Sequence, residues 1–172
     1  MRKGCRVRPL SKHEIRLLAG IFRHMLKESS LGAFLEWLIA YGWLQVLADN
    51  DPKFLYAEAL YSPAERCIFL REFDYIHCVD GTNPRSLFTF AHELGHMALG
   101  HDKSLSREIN ANMEHELYED SEWQANTFAA EFLMPLEEIK QLNLRTPDAL
   151  MKAFGVSREA AQYRLQNIKS LI

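Results

Sequence analysis

The sequence predicts an α+β fold, in which a small antiparallel sheet packs on helices. Apolar residues recur at helical spacing near the start, a middle stretch has the pattern of short strands between turns, and two capped helices follow. A chain of 172 residues, 48% apolar and 25% charged, has the length and composition of one globular domain. We divide this single domain into an N-terminal basic helix (1–30), a core (31–135) and a C-terminal helical hairpin (136–172).

The first predicted element is a helix of about four turns. Ser11 and Glu14 form a capping box, and apolar residues then keep a spacing of three or four. A second helix, 31–41, ends at Gly42. The apolar stretch 31–48 approaches the length of a membrane span, but it contains Glu36, so a buried helix followed by a strand is the better interpretation.

Three strand-like runs come next, at 43–47, 54–61 and 66–71, with a possible fourth at 75–79. The turn-forming sequences DNDP, SPAE and EFD separate them. Their short connections favour an antiparallel sheet.

A long helix is predicted from Asn83, as N-cap, and Pro84 to Gly100. It carries the sequence HELGH, in which His92 and His96 are four residues apart and therefore share one face, so both imidazoles can reach a single metal ion. Glu93, next to a ligand, can act as general base on a metal-activated water. On a continuous helix His101 would point away from His92.

A third ligand is expected on the next predicted helix, since catalytic zinc takes three protein ligands. Ser121 and Gln124 have the spacing of a capping box, and the helix runs to Pro135. Glu122 lies at the edge of its apolar stripe, whereas Glu131 points to the other side. Asn126 follows Glu122 by one turn, where its amide can hydrogen-bond a metal ligand.

The C-terminal region has a helix-turn-helix rhythm, with Gly155 between two helical segments and Ser157 as a cap. Residues 140–172 hold six bases and two acids. A hairpin that closes the domain and a DNA-binding unit are both compatible with this pattern. The second helix offers few side chains for reading bases, so direct nucleic-acid binding is not expected; those side chains are Arg158, Gln162 and Arg164.

Charge is distributed unevenly along the chain. Residues 1–28 carry eight bases and two acids, whereas 102–138 carry ten acids and two bases. This asymmetry fits either two solvent-exposed faces of opposite charge or a charge distribution that serves a function. The three cysteines show no CxxC spacing, and the basic start is not followed by an apolar signal region, so a reducing cytoplasmic location without membrane attachment is expected.

The stretches FTFAHELGHMALGH and EWQANTFAAEFLMP together resemble the ImmA/IrrE family of zinc metallopeptidases, and the weaker similarity extends over about 30–170. The resemblance implies a gluzincin-like site with one Zn²⁺ per chain. His92, His96 and Glu122 would be its ligands and Glu93 its general base, which makes 31–135 a catalytic core. It also implies a zinc endopeptidase that cleaves a helix-turn-helix repressor and so relieves transcriptional repression.

Two roles stay open at this point. Candidates for a second donor to the developing oxyanion are His77, His115 and Tyr118, none of them favoured. The site could alternatively be a structural, non-catalytic metal site in a DNA-binding or protein-binding regulator. Such a site would need a fourth protein ligand, and the sequence offers no strong candidate.

Overall fold

The computed structural model describes residues 4–27, 30–101 and 116–172 and has the expected α+β architecture. Helices pack against a three-stranded sheet, and two short 3₁₀ turns of the described residues lie at Pro52–Phe54 and Leu117–Glu119. The strands are β1 (Leu44–Leu47), β2 (Ala59–Ser62) and β3 (Cys67–Arg71). The helices are α1 (Lys12–Lys27), α2 (Leu31–Ala40), α3 (Glu72–Asp80), α4 (Pro84–Ala98), α5 (Ser121–Leu133), α6 (Leu136–Gln141), α7 (Pro147–Phe154) and α8 (Arg158–Ile168).

The sheet is mixed, which corrects the expected antiparallel arrangement. Its strand order is β1-β3-β2; β2 pairs antiparallel with β3, with Leu60 opposite Phe69, but β1 runs parallel to β3, with Gln45 opposite Phe69. The segment between β1 and β2 leads the chain to the far edge, so β3 enters between them. Residues in the middle of β3 are consequently buried, including Ile68 and Leu70.

The predicted fourth strand at 75–79 is wrong, because these residues form the second half of α3. Glu72 and Asp74 favour a helix N-terminus, and Gly81, at φ 65°, ends the helix in the left-handed conformation. Buried Asp74 accepts hydrogen bonds from Arg71 Nε (2.9 Å) and Ser86 Oγ (2.6 Å). These contacts tie α3 to α4 and override the β propensity of the local side chains.

The apolar stretch 31–48 divides into α2 and β1, as expected. Leu35 and Leu38 of α2 are fully buried, and Gly42 turns the chain at φ 72°. Across the described ranges, every helix is too short or too polar to cross a membrane.

The basic N-terminal region packs against the acidic region that follows the HELGH helix. Helix α1 lies on α5, with Ile15 and Ala19 fully buried. Among the described residues, three ion pairs join the two regions, each with an arginine from residues 1–28 and a glutamate from 102–138: Arg6–Glu119 (2.8 Å), Arg16–Glu131 (3.2 Å) and Arg23–Glu138 (3.4 Å). Part of the uneven charge along the chain is therefore complementary within the fold.

The C-terminal helices close the domain, as the predicted hairpin requires. Arg164 of α8 is buried and donates to both carboxylate oxygens of Glu131, at 2.8 and 2.6 Å, and to the carbonyl of Met134 at 3.0 Å. Burial raises the pKa of Glu131, but Arg164 and Arg16 outweigh it and hold the pKa below the ordinary value. Arg164 is thus unavailable for reading bases.

Candidate metal centre

Helix α4 presents the two HELGH histidines side by side. It begins as predicted, with the side chain of Asn83 accepting a hydrogen bond from Arg85 N–H at 3.0 Å and Pro84 in the first turn. His92 and His96 lie one turn apart, and their Nε2 atoms are 3.0 Å from each other. Leu94 faces the core and is fully buried, which fixes the direction in which the histidines point.

Helix α5 brings Glu122 to the same point. Its Oε2 lies 3.2 Å from His92 Nε2, and its Oε1 lies 3.4 Å from His96 Nε2. One ligand atom from each of these three residues falls within 4.8 Å of the others, and in the part of the chain that the structure describes no further His, Cys, Asp or Glu joins the group. The two histidines hold the pKa of Glu122 far below its usual range. Glu131 points elsewhere, into the pair with Arg164.

The start of α5 differs from the prediction. Asp120, and not Ser121, is the N-cap: its carboxylate accepts from Trp123 N–H at 2.9 Å. Ser121 Oγ accepts a hydrogen bond from the Cys5 N–H at 3.0 Å, and the Gln124 side chain contacts His101 and does not cap the helix. The helix therefore begins where predicted, but a different side chain caps it.

Gly95 allows α4 and α5 to approach closely. A Cβ built on Gly95 would lie 3.1 Å from the Ala125 carbonyl oxygen, 3.2 Å from Ala125 Cα and 3.2 Å from Phe128 Cβ. Such distances are tighter than normal carbon contacts. The small pair Gly95 and Ala125 thus sets the separation across which Glu122 reaches the histidines.

Glu93 lies on α4 beside the three possible ligands and is not one of them. Its Oε2 accepts a hydrogen bond from the Tyr61 N–H of strand β2 at 2.7 Å. Burial raises the pKa of Glu93 above the ordinary glutamate value, against the opposing effect of the nearby histidines. This makes the carboxylate a stronger proton acceptor than an exposed glutamate.

Asn126 contacts the first histidine, on the side away from Glu122. Asn126 Oδ1 lies 3.0 Å from His92 Nδ1. Burial lowers the pKa of His92, but the contacts with Glu122 and Asn126 and the charge of Glu93 outweigh it, so the pKa is raised. With Nδ1 facing Asn126, His92 presents Nε2 to the centre of the cluster.

His101 lies at the site, which corrects the prediction that it points away from His92 on a continuous helix. Gly100, at φ 66°, reverses the chain after α4, and the His101 N–H donates to the His96 carbonyl at 3.0 Å. His101 Nδ1 then lies 2.8 Å from His96 Nδ1, and its Nε2 lies 2.9 Å from Gln124 Oε1. Burial lowers the pKa of His101 to about 4.

Two of the candidate oxyanion donors lie within the described residues. His77 is half-buried on α3, with Nδ1 2.7 Å from the Phe73 carbonyl, and Tyr118 lies half-exposed in the turn before α5. Neither side chain lines the pocket beside the histidines. His115 lies outside the described residues.

The N-terminal segment, residues 4–10, forms part of the pocket wall, which the sequence did not indicate. Cys5 and Val7 line the pocket together with β2, Glu93 and the three clustered residues. Val7 N–H donates to the Glu119 carbonyl at 2.8 Å, and a Cβ on Gly4 would lie only 2.6 Å from Glu122 N. The opposite charges of the two regions are a feature of the sequence from which their contact could have been predicted.

Comparison with known families agrees with the resemblance seen in the motifs. The sequence profile of the Peptidase_M78 family, described as the IrrE N-terminal-like domain, matches residues 79–166, which include α4, α5 and most of the C-terminal helices. The chain belongs to this family. The match places the chain among peptidase-like domains, as the sequence motifs predicted. The part of the chain that precedes the matched region adds α1, α2, the sheet and most of α3.

A solved structure supports the fold over a wider region. A Mycobacterium tuberculosis transcriptional regulator superposes with a TM-score of 0.53 at 21% identity, over 91% of this chain and 52% of that one. The chain therefore spans about half the length of that regulator. No curated protein sequence matches the chain significantly.

Proposed function

We propose that this chain is a zinc-dependent endopeptidase. The observation that carries the proposal is the convergence of His92, His96 and Glu122 within 4.8 Å, with Glu93 beside them. Two imidazoles and one glutamate form a donor set that catalytic zinc uses. The residues fit such an ion, because both Nδ1 atoms face other side chains and both Nε2 atoms face Glu122.

Zinc, when bound, polarises a carbonyl group and lowers the pKa of a coordinated water to about 7. The chain itself supplies the base. Glu93 is held through Oε2 by the Tyr61 N–H, and its burial favours the protonated form. Its carboxylate can therefore take a proton from the attacking water, keep it during the attack on the peptide carbonyl and pass it to the leaving amine.

Strand β2 is the proposed binding site for the substrate backbone. It forms an edge of the sheet as described, pairing with β3, and Ala59, Leu60 and Tyr61 line the pocket beside Glu93. An extended peptide can add to such an edge through main-chain hydrogen bonds. This geometry suits an unfolded or extended segment of a protein substrate.

The proposed substrate is a repressor with a helix-turn-helix domain, whose cleavage would relieve transcriptional repression. The family resemblance supports this choice, and the similarity in fold to a protein named as a transcriptional regulator agrees with a regulatory setting. We propose a cytoplasmic location and one Zn²⁺ per chain. A structural metal site is less favoured, because among the described residues the cluster has three protein ligands and not four.

The test combines metal analysis with a cleavage assay on a purified repressor that has a helix-turn-helix domain. Glu93→Gln should retain zinc and lose cleavage by about 10²–10⁴-fold, since only the general base is removed. Glu159→Gln, on the exposed face of α8, is the matched control and should cleave like the wild type. A zinc-loaded wild type that leaves the repressor intact, or a Glu93→Gln variant with full activity, would contradict the proposal.

A further inference from the structure

His96, the second histidine of the HELGH motif, is linked by a chain of hydrogen bonds through two buried side chains to main-chain carbonyls. His101 and Gln124 are 6% and 0% exposed. His96 Nδ1 lies 2.8 Å from His101 Nδ1, and His101 Nε2 lies 2.9 Å from Gln124 Oε1. Gln124 Nε2 in turn donates to two main-chain carbonyls, those of Arg8 at 2.8 Å and Tyr118 at 2.7 Å.

The two carbonyls determine the orientation of the Gln124 amide. Carbonyl oxygens accept and never donate, so the group that faces them must be the NH₂ of Gln124, whose two hydrogens they use. The Gln124 oxygen is left to face His101. An inverted amide would place an oxygen against two oxygens and leave His101 opposite a donor, which the distances do not allow.

The orientation of the amide then determines where the protons of both histidines lie. Because Gln124 Oε1 accepts, His101 Nε2 must carry a hydrogen. Of the facing Nδ1 atoms of His96 and His101, one must donate and the other accept. If His101 donated, His96 would carry its proton on Nε2 and could not bind a metal there; if His96 donates, its Nε2 lone pair is free.

We propose that His101 and Gln124 are positioning residues that hold His96 in the Nδ1–H tautomer, with the Nε2 lone pair directed at the metal. The contact with Arg8 makes the N-terminal segment an anchor of this arrangement, since the segment supplies one of the two carbonyls that orient Gln124. The inference rests on the proposed zinc site. It assigns His96 a partner of a different kind from the Asn126 amide that contacts His92.

The first measurement is a long-range ¹H–¹⁵N correlation spectrum of the zinc-loaded wild type, which reports the tautomer of each imidazole. We expect His96 protonated at Nδ1 and His101 protonated at Nε2 alone. A His101 that carries its proton on Nδ1, or on both nitrogens, would overturn the proposal. This measurement needs no variant, so it does not depend on how well a variant folds.

The second measurement is zinc affinity, by competition with a chelator of known affinity. His101→Phe keeps an aromatic ring, of somewhat larger volume, but removes both nitrogens, and should bind zinc about 10–100-fold more weakly. His101→Asn places an oxygen near the former Nδ1 and should recover part of this loss, whereas a purely packing role predicts the opposite order. His13→Phe, at an exposed position on α1, should leave the affinity unchanged.

The possible failures are distinguishable. An affinity for His101→Phe within twofold of the wild type, or no recovery in His101→Asn, overturns this inference and leaves the peptidase proposal in place. A wild type that binds zinc with the expected tautomers but cleaves no repressor overturns the peptidase proposal and supports this inference. A wild type that takes up no zinc overturns both.

Discussion

The contact between α4 and α5 gives a sharp test, because Gly95 controls how closely Glu122 approaches the two histidines. In Gly95→Ala the new Cβ would lie 3.1–3.2 Å from three atoms of α5, two of them in the Ala125 backbone. Carbon atoms prefer separations of about 3.5–4.0 Å, so the helices must separate by about half an ångström. The backbone of Ala125 cannot rotate out of the way as a long side chain would.

The change in unfolding free energy expected for Gly95→Ala is the sum of two opposing effects. Overpacking of a buried contact costs about 1–3 kcal/mol, while alanine is favoured over glycine in a helix by about 1 kcal/mol. Gly95→Ala should therefore lower the free energy of unfolding by about 0–2 kcal/mol. Gly20→Ala is the matched control: Gly20 is also inside a helix, but a Cβ there meets nothing within 4 Å. It should stabilise the protein by about 1 kcal/mol.

The assay is thermal unfolding of the metal-free protein together with a zinc titration. A difference of about 1–3 kcal/mol between the two variants corresponds to about 2–12 °C in Tm for a chain of this length. Zinc affinity should fall by about tenfold or more in Gly95→Ala, since a metal site tolerates only about 0.5 Å of displacement, and should be unchanged in Gly20→Ala. Equal stabilisation by both substitutions, with equal zinc affinity, would refute the close contact and its role in the site.

Other predictions concern the buried ion pair and the thiols. Arg164→Met removes the bidentate partner of buried Glu131 and should lower the free energy of unfolding in urea by about 3–5 kcal/mol. Arg6→Met, which breaks an exposed pair, should lower it by about 0–1 kcal/mol, and equal losses would contradict the role of burial. Because the folded pKa of Glu131 lies below the ordinary value of 4.5, its stabilisation is complete above that pH and is lost as the pH falls through the folded pKa. The difference in unfolding free energy between the wild type and Glu131→Gln should therefore become smaller below about pH 4 in urea titrations. A difference that grows below about pH 4 would contradict the lowered pKa of Glu131. At pH 8 one of the three thiols, that of exposed Cys5, should react rapidly with Ellman's reagent. The other two are buried, and burial raises the pKa of Cys78 to about 12. A rapidly reacting thiol in Cys5→Ser would contradict this assignment.

The parts of the site that the sequence predicted are those governed by local geometry. The spacing of His92 and His96 fixes their relation within one helix, whatever the rest of the fold does. Glu122 was found from the edge of an apolar stripe, because the stripe must face the core and its edge then meets the neighbouring helix. The structure brings these three residues together, although their roles as ligands stay a proposal.

Apart from His101, the parts that the sequence did not predict depend on contacts between distant segments. The residues of 75–79 have β propensity, but buried Asp74 is bound by Arg71 and Ser86, and a helix satisfies that arrangement. The parallel pairing of β1 with β3 depends on where the chain between β1 and β2 crosses, which no local pattern records. The N-terminal wall of the pocket is held by residues more than a hundred positions away, such as Asp120.

His101 shows where a periodicity argument ends. The 100° rotation per residue applies only while the helix continues, and Gly100 interrupts it with a positive φ. In the capping motif that such a glycine forms, its own N–H bonds the carbonyl three residues back and the next residue's N–H bonds the carbonyl five residues back; here these are Met97, at 3.2 Å, and His96, at 3.0 Å. The residue after the glycine is therefore returned to the last turn of the helix. A histidine in that position, directly after a motif whose last histidine lies five residues earlier, is predicted to contact that histidine, and this local rule would have placed His101 correctly from the sequence.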